Sequence, residues 1–485
     1  MTARLDLIPE WPVTIAGSVL SLEHTFADDL DGLYVPWEPQ GFEEPALLFY
    51  NRGLAEVLGL DVDAVEAQAA TLFSGSSVPA EALPLSQAYA GHQFGGFSPQ
   101  LGDGRAVLLG ELVDPDGRRF DLQLKGSGPT PFSRGGDGQA TLGPALREYL
   151  VGEAMHALGV STTRALAVVG TGRTVMRRGP LPGAVLARVA ASHLRVGTLQ
   201  FFAVRRDVEK LTRLVDYALE RHYADRPRSG NNAHDLLMAV AEAQAQLVAS
   251  WMHVGFIHGV MNTDNVALSG ETIDYGPCAF LDAYDPATVF SSIDHHGRYA
   301  YGNQPRIGQW NLARMAEALL PLLADDQDAA VARGEEALVH YTKTYDAAWL
   351  GGMRRKLGLR GEQDDDLALV SDLLTHLREH GHDFTKAFRD LSSVASAAWR
   401  ERWRARRGDA DPAAVDAARA AVNPVYIPRN HLVEEALEAA IAGDLEPFRT
   451  LMSVLERPFE VQPGRERYAE PAPAEFGPYT TFCGT

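Results

Sequence analysis

The sequence predicts an α+β fold of two lobes, a β-rich N-terminal lobe followed by a large helical C-terminal lobe. Three observations carry this. Strand-like runs and glycine-rich turns dominate up to about residue 190, with one long helix among them. After residue 198 the apolar spacing turns helical, with a β-like patch only at 256–281. Residues 101–200 hold 12 Lys/Arg against 8 Asp/Glu, inside a chain whose formal net charge is −20. A positive zone in an acidic protein suits a small bound polyanion.

The 485 residues are 46% hydrophobic and 22% charged, so the chain can bury a large core without a disulfide or structural metal. At about 100–200 residues per domain, two to four domains or lobes are expected. The acidic balance argues against nucleic acid as a partner. No uncharged apolar run reaches the length of about 18 residues that a membrane span needs, so no membrane is expected. The N-terminal region mixes Arg4 with Asp6, Glu10 and Glu23, unlike a signal or transit peptide. Two cysteines, Cys278 and Cys483, exclude a cysteine-rich zinc module. They suit a reducing compartment, and a cytoplasmic location is expected.

Residues 1–85 read as an irregular N-terminal extension with a helix-like stretch at Leu47–Leu58. Residues 86–197 read as a nucleotide-binding lobe. Within it, Ala106–Leu112 and Arg119–Lys125 form a hairpin around Asp114-Pro115-Asp116-Gly117. Pro144–Leu158 follows as a helix. Short strands are expected at Ala165–Val169 and Thr174–Met176, around Gly170-Thr171-Gly172, and another at Gly183–Val189. Residues 198–460 read as the helical lobe. Its first long helix is Asn232–Val254, with Asn232 as cap. Further helices are expected over Gly308–Ala324, Glu335–Leu357, Asp365–Glu379, Lys386–Arg406, Pro412–Val422, Leu432–Ile441 and Glu446–Leu455. Residues 461–485 form a Pro/Gly-rich tail carrying Cys483.

The strongest chemical signal is His258-Gly259-Val260-Met261-Asn262-Thr263-Asp264-Asn265, followed by Asp274-Tyr275-Gly276. Asn265–Leu268 and Glu271–Ile273 read as hairpin arms around Ser269-Gly270, which would set Asn265 opposite Asp274. One amide oxygen and one carboxylate suit Mg2+, which keeps its other positions for phosphate and water. Asp264 is a candidate base or an orienting group. A catalytic-loop Asn followed by Asp-aromatic-Gly resembles the kinase arrangement. So does Lys125 at a strand end with Glu148 in the next helix. Only five residues are Lys, and Lys125 is the only one before position 210. That favours a site needing a compact point charge over a planar fork.

Gly102-Asp103-Gly104-Arg105, Gly126-Ser127-Gly128 and Gly135-Gly136-Asp137-Gly138 offer backbone N–H groups to phosphate, or are ordinary tight turns. Arg188 and Arg195 could clamp phosphate or form surface ion pairs. No Walker loop, His-Glu-x-x-His, Cys-x-x-Cys or Gly-x-Ser-x-Gly occurs. Asp294-His295-His296 lacks a further spaced ligand and reads as a structural loop.

Taken together, the motifs resemble the selenoprotein-O family of protein adenylyltransferases, a pseudokinase-like group. The segments that carry this are Gln87–Gly95, Gln100–Arg105, Leu124–Gly128, Ser133–Gly138, His258–Asn265, Ile273–Pro277, Asn423-Pro424 to His431, and Cys483. The resemblance implies a protein-kinase-like fold that binds ATP in an inverted orientation. It implies transfer of AMP to Ser, Thr or Tyr hydroxyls of protein substrates; Mg2+ is the expected ion, and the sequence does not decide whether Mn2+ can replace it. Lys125 and Glu148 would form the ion pair, and Asp264 would accept the proton. Asn265 and Asp274 would bind metal. Gly102, Gly104, Arg105, Lys125, Asp137, Gly138, Arg188, Arg195 and Asp274 would meet the nucleotide. Small-molecule kinases of this fold place the base directly after His-Gly, where this chain has Val260. A γ-phosphate transferase and an inactive nucleotide-binding scaffold are the alternative readings. The chain ends Cys483-Gly484-Thr485, without selenium. The resemblance implies redox control through a C-terminal cysteine, for which Cys278–Cys483 is the one possible disulfide, over the segment that follows Asp274; the alternative reading of Cys278, in the apolar run Cys278-Ala279-Phe280-Leu281, is a buried core thiol.

Overall fold

The computed structural model describes residues 13–15 and 19–482. Its centre is an antiparallel sheet running Tyr34–Pro36, Leu85–Gln87, Ala106–Val113, Arg119–Lys125, Pro180–Ala190, Arg164–Met176 and Ala46–Tyr50. Ala140–Thr141 pairs beside this path with Pro180–Ala190. The central hairpin forms as expected. In its turn, Asp114 accepts the Asp116 and Arg118 amides at 3.0 and 2.8 Å. The register sets Lys125 opposite Ala106 on one side and Leu186 on the other.

Among the described residues the N-terminal segment is not irregular. Leu47–Leu58 divides into an edge strand, Ala46–Tyr50, and a helix, Arg52–Val57, capped by Asn51. A further helix, Val62–Ser74, buries Val65, Ala69, Leu72 and Phe73 against the sheet. The sheet therefore draws strands from both sides of residue 85. The two short strands expected around Gly170-Thr171-Gly172 are one strand, Arg164–Met176, with an irregularity between Gly170 and Thr174. A bulge absorbs the glycines without ending the strand.

The helix Leu142–Ala157 lies on the sheet and is backed by two C-terminal helices, Asn430–Ile441 and Glu446–Leu455. Phe448 sits 4.7 Å from Phe49 and 6.5 Å from Tyr149 by ring centroids, joining the chain's end to both edge strand and helix. The helical lobe is built on Asn232–Val254, packed against Gln304–Leu323 and Gln327–Lys356. Its cap is Asn231, whose side chain accepts the His234 amide at 2.8 Å, one residue earlier than expected. The long helix expected at Lys386–Arg406 is three shorter ones, Phe384–Arg389, Leu391–Val394 and Ala397–Arg407. Asp390 and Ser396 cap the second and third, and capping competes with helix continuation. Among the described residues no helix is long and apolar enough to cross a membrane.

The lobes are joined by buried charge. Glu111 and Asp121 face each other across the central hairpin. Arg221, from the helix Val208–Tyr223, donates to Glu111 at 3.0 Å and to Asp121 at 2.9 Å.

One buried charge has no such partner. Lys356 ends its helix with its ammonium 4.4 Å from the Phe388 ring and 5.4 Å from Phe384. Burial pulls its pKa down to about 7. The unfolded chain holds that proton to about 10.4, so this group makes stability rise with pH between roughly 7 and 10. Lys356→Met should stabilise the protein by roughly 1–3 kcal/mol at neutral pH and flatten that rise. Denaturant melts at pH 7 and 9.5 check this. A variant no more stable than wild type, with the same pH slope, would contradict it.

Candidate active site

Lys125 closes its strand with the ammonium donating to Glu148 Oε2 and Asp274 Oδ1, each at 2.6 Å. Glu148 projects from the middle of the helix Leu142–Ala157 and is buried. Arg188 lies opposite Gln123 in the sheet. Its guanidinium donates to Glu148 Oε1 at 3.1 Å, Asp274 Oδ1 at 2.9 Å and Gln123 Oε1 at 2.6 Å. Gln123 in turn donates to Asp103 Oδ2 at 2.9 Å. Arg195 stands 3.7 Å from Asp103 Oδ1, its guanidinium 4.5 Å from the Tyr89 ring centroid. Three cations and three carboxylates thus share one network. Arg188 is only 2% exposed, so the surface-ion-pair reading does not hold for it.

Burial pushes the Asp274 carboxyl up, but Lys125, Arg188 and Arg195 more than offset this and hold it well below the usual carboxylate range. Its backbone sits at φ +65°, the left-handed region that non-glycine residues avoid. The turn is held on both sides. His258 Nε2 bonds to the Ile273 carbonyl at 2.9 Å, and the Tyr275 hydroxyl bonds Thr162. The expected hairpin over Asn265–Ile273 does not form. The Leu268 amide donates to Leu194 at 2.9 Å and the Thr272 amide to Ser161 at 2.9 Å, so each arm pairs outward. Nearby sheet-like partners outcompete a short arm pairing with its own neighbour.

Asp264 and Asn265 lie in a single 3-10 turn, Thr263–Asn265. The Asn265 side-chain amide nitrogen donates to the Val260 carbonyl at 3.0 Å. Asp264 Oδ2 accepts from Gln93 at 3.1 Å, while its Oδ1 is buried without a partner. Burial pushes the Asp264 carboxyl up to about 6, against the lowering effect of the Gln93 bond. A Cβ on Gly91 would come within 2.8 Å of that Oδ1, so the glycine keeps the carboxylate's place open.

The glycine loops are tightly packed. A Cβ on Gly138, at φ +66°, would fall 2.0 Å from the Gly128 carbonyl oxygen, so two loop backbones touch there. Gly102 and Gly104 lie against Phe132. Arg105 precedes the strand Ala106–Val113, and its carbonyl accepts the Gly126 amide at 2.6 Å. Asp137 stands apart from the charge network, paired with Arg177 at 2.8 Å near the surface. Sequence reading missed Gln93, Asp103 and Gln123 as partners in the site. Asp103 and Gln93 fall inside segments already singled out, but neither residue type announces burial.

Cys278 is buried, its Sγ 3.6 Å from the Tyr275 carbonyl, and burial pushes the thiol up to about 12. The tail is ordered alongside it. Thr481 Oγ1 donates to the Pro277 carbonyl at 2.8 Å and the Thr481 amide to Phe290 at 2.8 Å. Cys483 lies outside the described residues, and so does the Cys278–Cys483 pairing.

The family match and the sequence relatives agree on one family. Residues 18–407 match the family described as protein adenylyltransferase SelO. A relative named protein nucleotidyltransferase YdiU, from Cereibacter sphaeroides, is 57% identical over 480 residues, covering 96% of this chain and 99% of the relative. Relatives of the same name are 55% identical in Mycolicibacterium smegmatis, over 96% of this chain and 99% of theirs, and 53% identical in Rhizobium etli, over 97% and 98%. Among solved structures, ROP2 from Toxoplasma gondii, described as having a protein-kinase fold and no enzymatic activity, matches at 13% identity and a TM-score of 0.22. It covers 68% of this chain and 87% of that one, and at this score it carries no weight. With the SelO match spanning most of its length and relatives matching nearly end to end, this chain belongs to the SelO family of protein adenylyltransferases.

Proposed function

We propose that this chain transfers AMP from ATP to Ser, Thr or Tyr hydroxyls of proteins, with Mg2+ as the metal. The observation that carries the reading is the Lys125 ammonium shared between Glu148 and Asp274. It is a fixed point charge in the place where kinase-like sites hold nucleotide phosphates. Arg188 and Arg195 add two buried guanidiniums beside it, more positive charge than one lysine supplies. In the inverted orientation that the family resemblance implies, the β- and γ-phosphates would meet these cations and the α-phosphorus would lie toward Asp264.

In the proposed reaction the acceptor oxygen bonds to the α-phosphorus and the bond from that phosphorus to the β-bridging oxygen breaks. Pyrophosphate leaves, and the hydroxyl proton passes to Asp264. The unpartnered Asp264 Oδ1 supports that role, since a base must present a free lone pair. Lys125, Arg188 and Arg195 stabilise the charge that builds on the leaving group.

Oxygen donors fit Mg2+ here. Asp274 offers a carboxylate, its Oδ1 now met by Lys125 and Arg188, and Asn265 offers an amide oxygen while its amide nitrogen is engaged. Among the described residues no group of three His, Cys, Asp or Glu could hold a metal alone. Asn265 and Asp274 would hold the ion together with phosphate and water oxygens, and the ion supplies neutralisation of phosphate charge.

Incubation with ATP labelled at either phosphate tests the reading. Protein-bound α label without γ label is expected, and γ label on protein would instead indicate phosphotransfer. Asp274→Ala should lower α-label incorporation by about 100-fold or more while circular dichroism stays native. Near-wild-type turnover in a folded Asp274→Ala protein would refute the metal assignment.

The Cys278–Cys483 switch is proposed on the tail's seat: Thr481, two residues before Cys483, bonds to the carbonyl of Pro277, the residue before Cys278. Both thiols would lose electrons to a small disulfide oxidant, which leaves as two thiols. Non-reducing peptide maps after treatment with oxidised glutathione should show the linked pair, absent in Cys483→Ser. No linked peptide in wild type would end the proposal.

A further inference from the structure

Beside the loop that carries Asp264 opens a cavity of about 560 Å3, lined among others by Phe94, Ile293, His295, His296, Arg298 and Arg306. Its wall is tied to the proposed base. Gln93 donates to Asp264, and the Phe94 amide donates to Asn262 Oδ1 at 3.0 Å. The Tyr299 hydroxyl donates to the same Asn262 oxygen at 2.7 Å, and the Phe94 and Tyr299 rings meet edge to face at 5.2 Å. Two adjacent residues, Gln93 and Phe94, therefore join the carboxylate to the cavity.

Two arginines and one carboxylate line the cavity. Arg298 lies with its guanidinium 4.6 Å from the Trp310 ring centroid and 5.6 Å from Tyr299. Its Nε and Nη2 are buried without a hydrogen-bond partner. Among the described residues neither Arg298 nor Arg306 has a carboxylate in ion-pair range, in a chain with 64 acidic residues. The one carboxylate lining the cavity, Asp294, accepts the Arg298 and Tyr299 amides at 2.9 and 2.8 Å and so shapes the loop. Two guanidiniums thus stand against one carboxylate already engaged. The rim is apolar, with Phe94 40% and Ile293 42% exposed. Phe94 also holds φ +52°, a strained conformation that exposes a large ring beside the site.

A guanidinium held by aromatic faces but lacking an anion is pre-organised for a carboxylate, because little side-chain freedom remains to be lost on binding. We propose that this cavity seats an Asp or Glu side chain of the acceptor protein, so that hydroxyls with an acidic neighbour in sequence are selected. This rests on the reading that Asp264 receives the acceptor's proton, which puts the hydroxyl beside the cavity. The net charge of −20 would repel acidic proteins at long range. Arg298 and Arg306 would supply the local attraction that offsets this.

The test uses the full-length enzyme with α-labelled ATP, Mg2+ and a soluble bacterial protein extract as acceptors, with modified hydroxyls mapped by mass spectrometry. Asp and Glu should be enriched several-fold near modified hydroxyls relative to unmodified hydroxyls of the same proteins. Arg298→Gln should remove the enrichment, and Arg298→Glu should turn it toward Lys and Arg, a gain that misfolding cannot produce. α label without acidic enrichment, or enrichment that persists in Arg298→Glu, would overturn this inference and leave adenylyl transfer standing. No α label on any protein would overturn both.

Discussion

The ammonium of Lys125 between two carboxylates is the constraint on which the rest of the architecture turns. Lys125 ends a central strand, Glu148 rides a helix of the sheet lobe, and Asp274 comes from the helical lobe. Burying charge is costly unless each group finds opposite charge, and removing one partner costs about 3–5 kcal/mol. The network therefore demands that sheet, helix and loop meet in a single arrangement. The backing of Leu142–Ala157 by the C-terminal helices and the Arg221 clamp across Glu111 and Asp121 both serve that demand.

Within this frame the network is balanced yet poised. Lys125, Arg188 and Arg195 neutralise Glu148, Asp274 and Asp103 in the absence of nucleotide. In the proposed reaction Lys125 and the arginines trade part of that pairing for phosphate, and Asp274 trades it for metal. The strained backbone of Asp274 and the orphan oxygen of Asp264 are two places where the folded chain keeps unsatisfied chemistry. The tail bonds to Pro277, and the acceptor-side cavity begins a short way along the same segment at Ile293, so substrate access and tail position share one stretch of chain.

Much of this was legible in the sequence because it rests on local signals. The hairpin around Asp114–Gly117, the apolar period of Asn232–Val254 and the scarcity of lysine all point to the right elements, and Lys125 and Glu148 do meet. What failed depended on long-range competition. The arms around Ser269-Gly270 have the look of a hairpin, but residues 161 and 194 take their amides. Ala46–Tyr50 reads as helical until the sheet edge offers its backbone a ladder. Arg188 carries no mark of burial in sequence, since only the register with Gln123 and the approach of Glu148 place it inside. Asp294–His296 reads as a plain loop because unpaired arginines are visible only in three dimensions.

The central claim is that the Lys125 network is a phosphate and metal site that exchanges partners when nucleotide binds. A crystal structure of the full chain with a non-hydrolysable ATP analogue and Mg2+ tests this most directly. The account predicts Lys125 and Arg188 turned onto phosphate oxygens, with Asp274 and Asn265 on the metal. Nucleotide bound elsewhere, with the Lys125 ammonium still closed between Glu148 and Asp274, would contradict it.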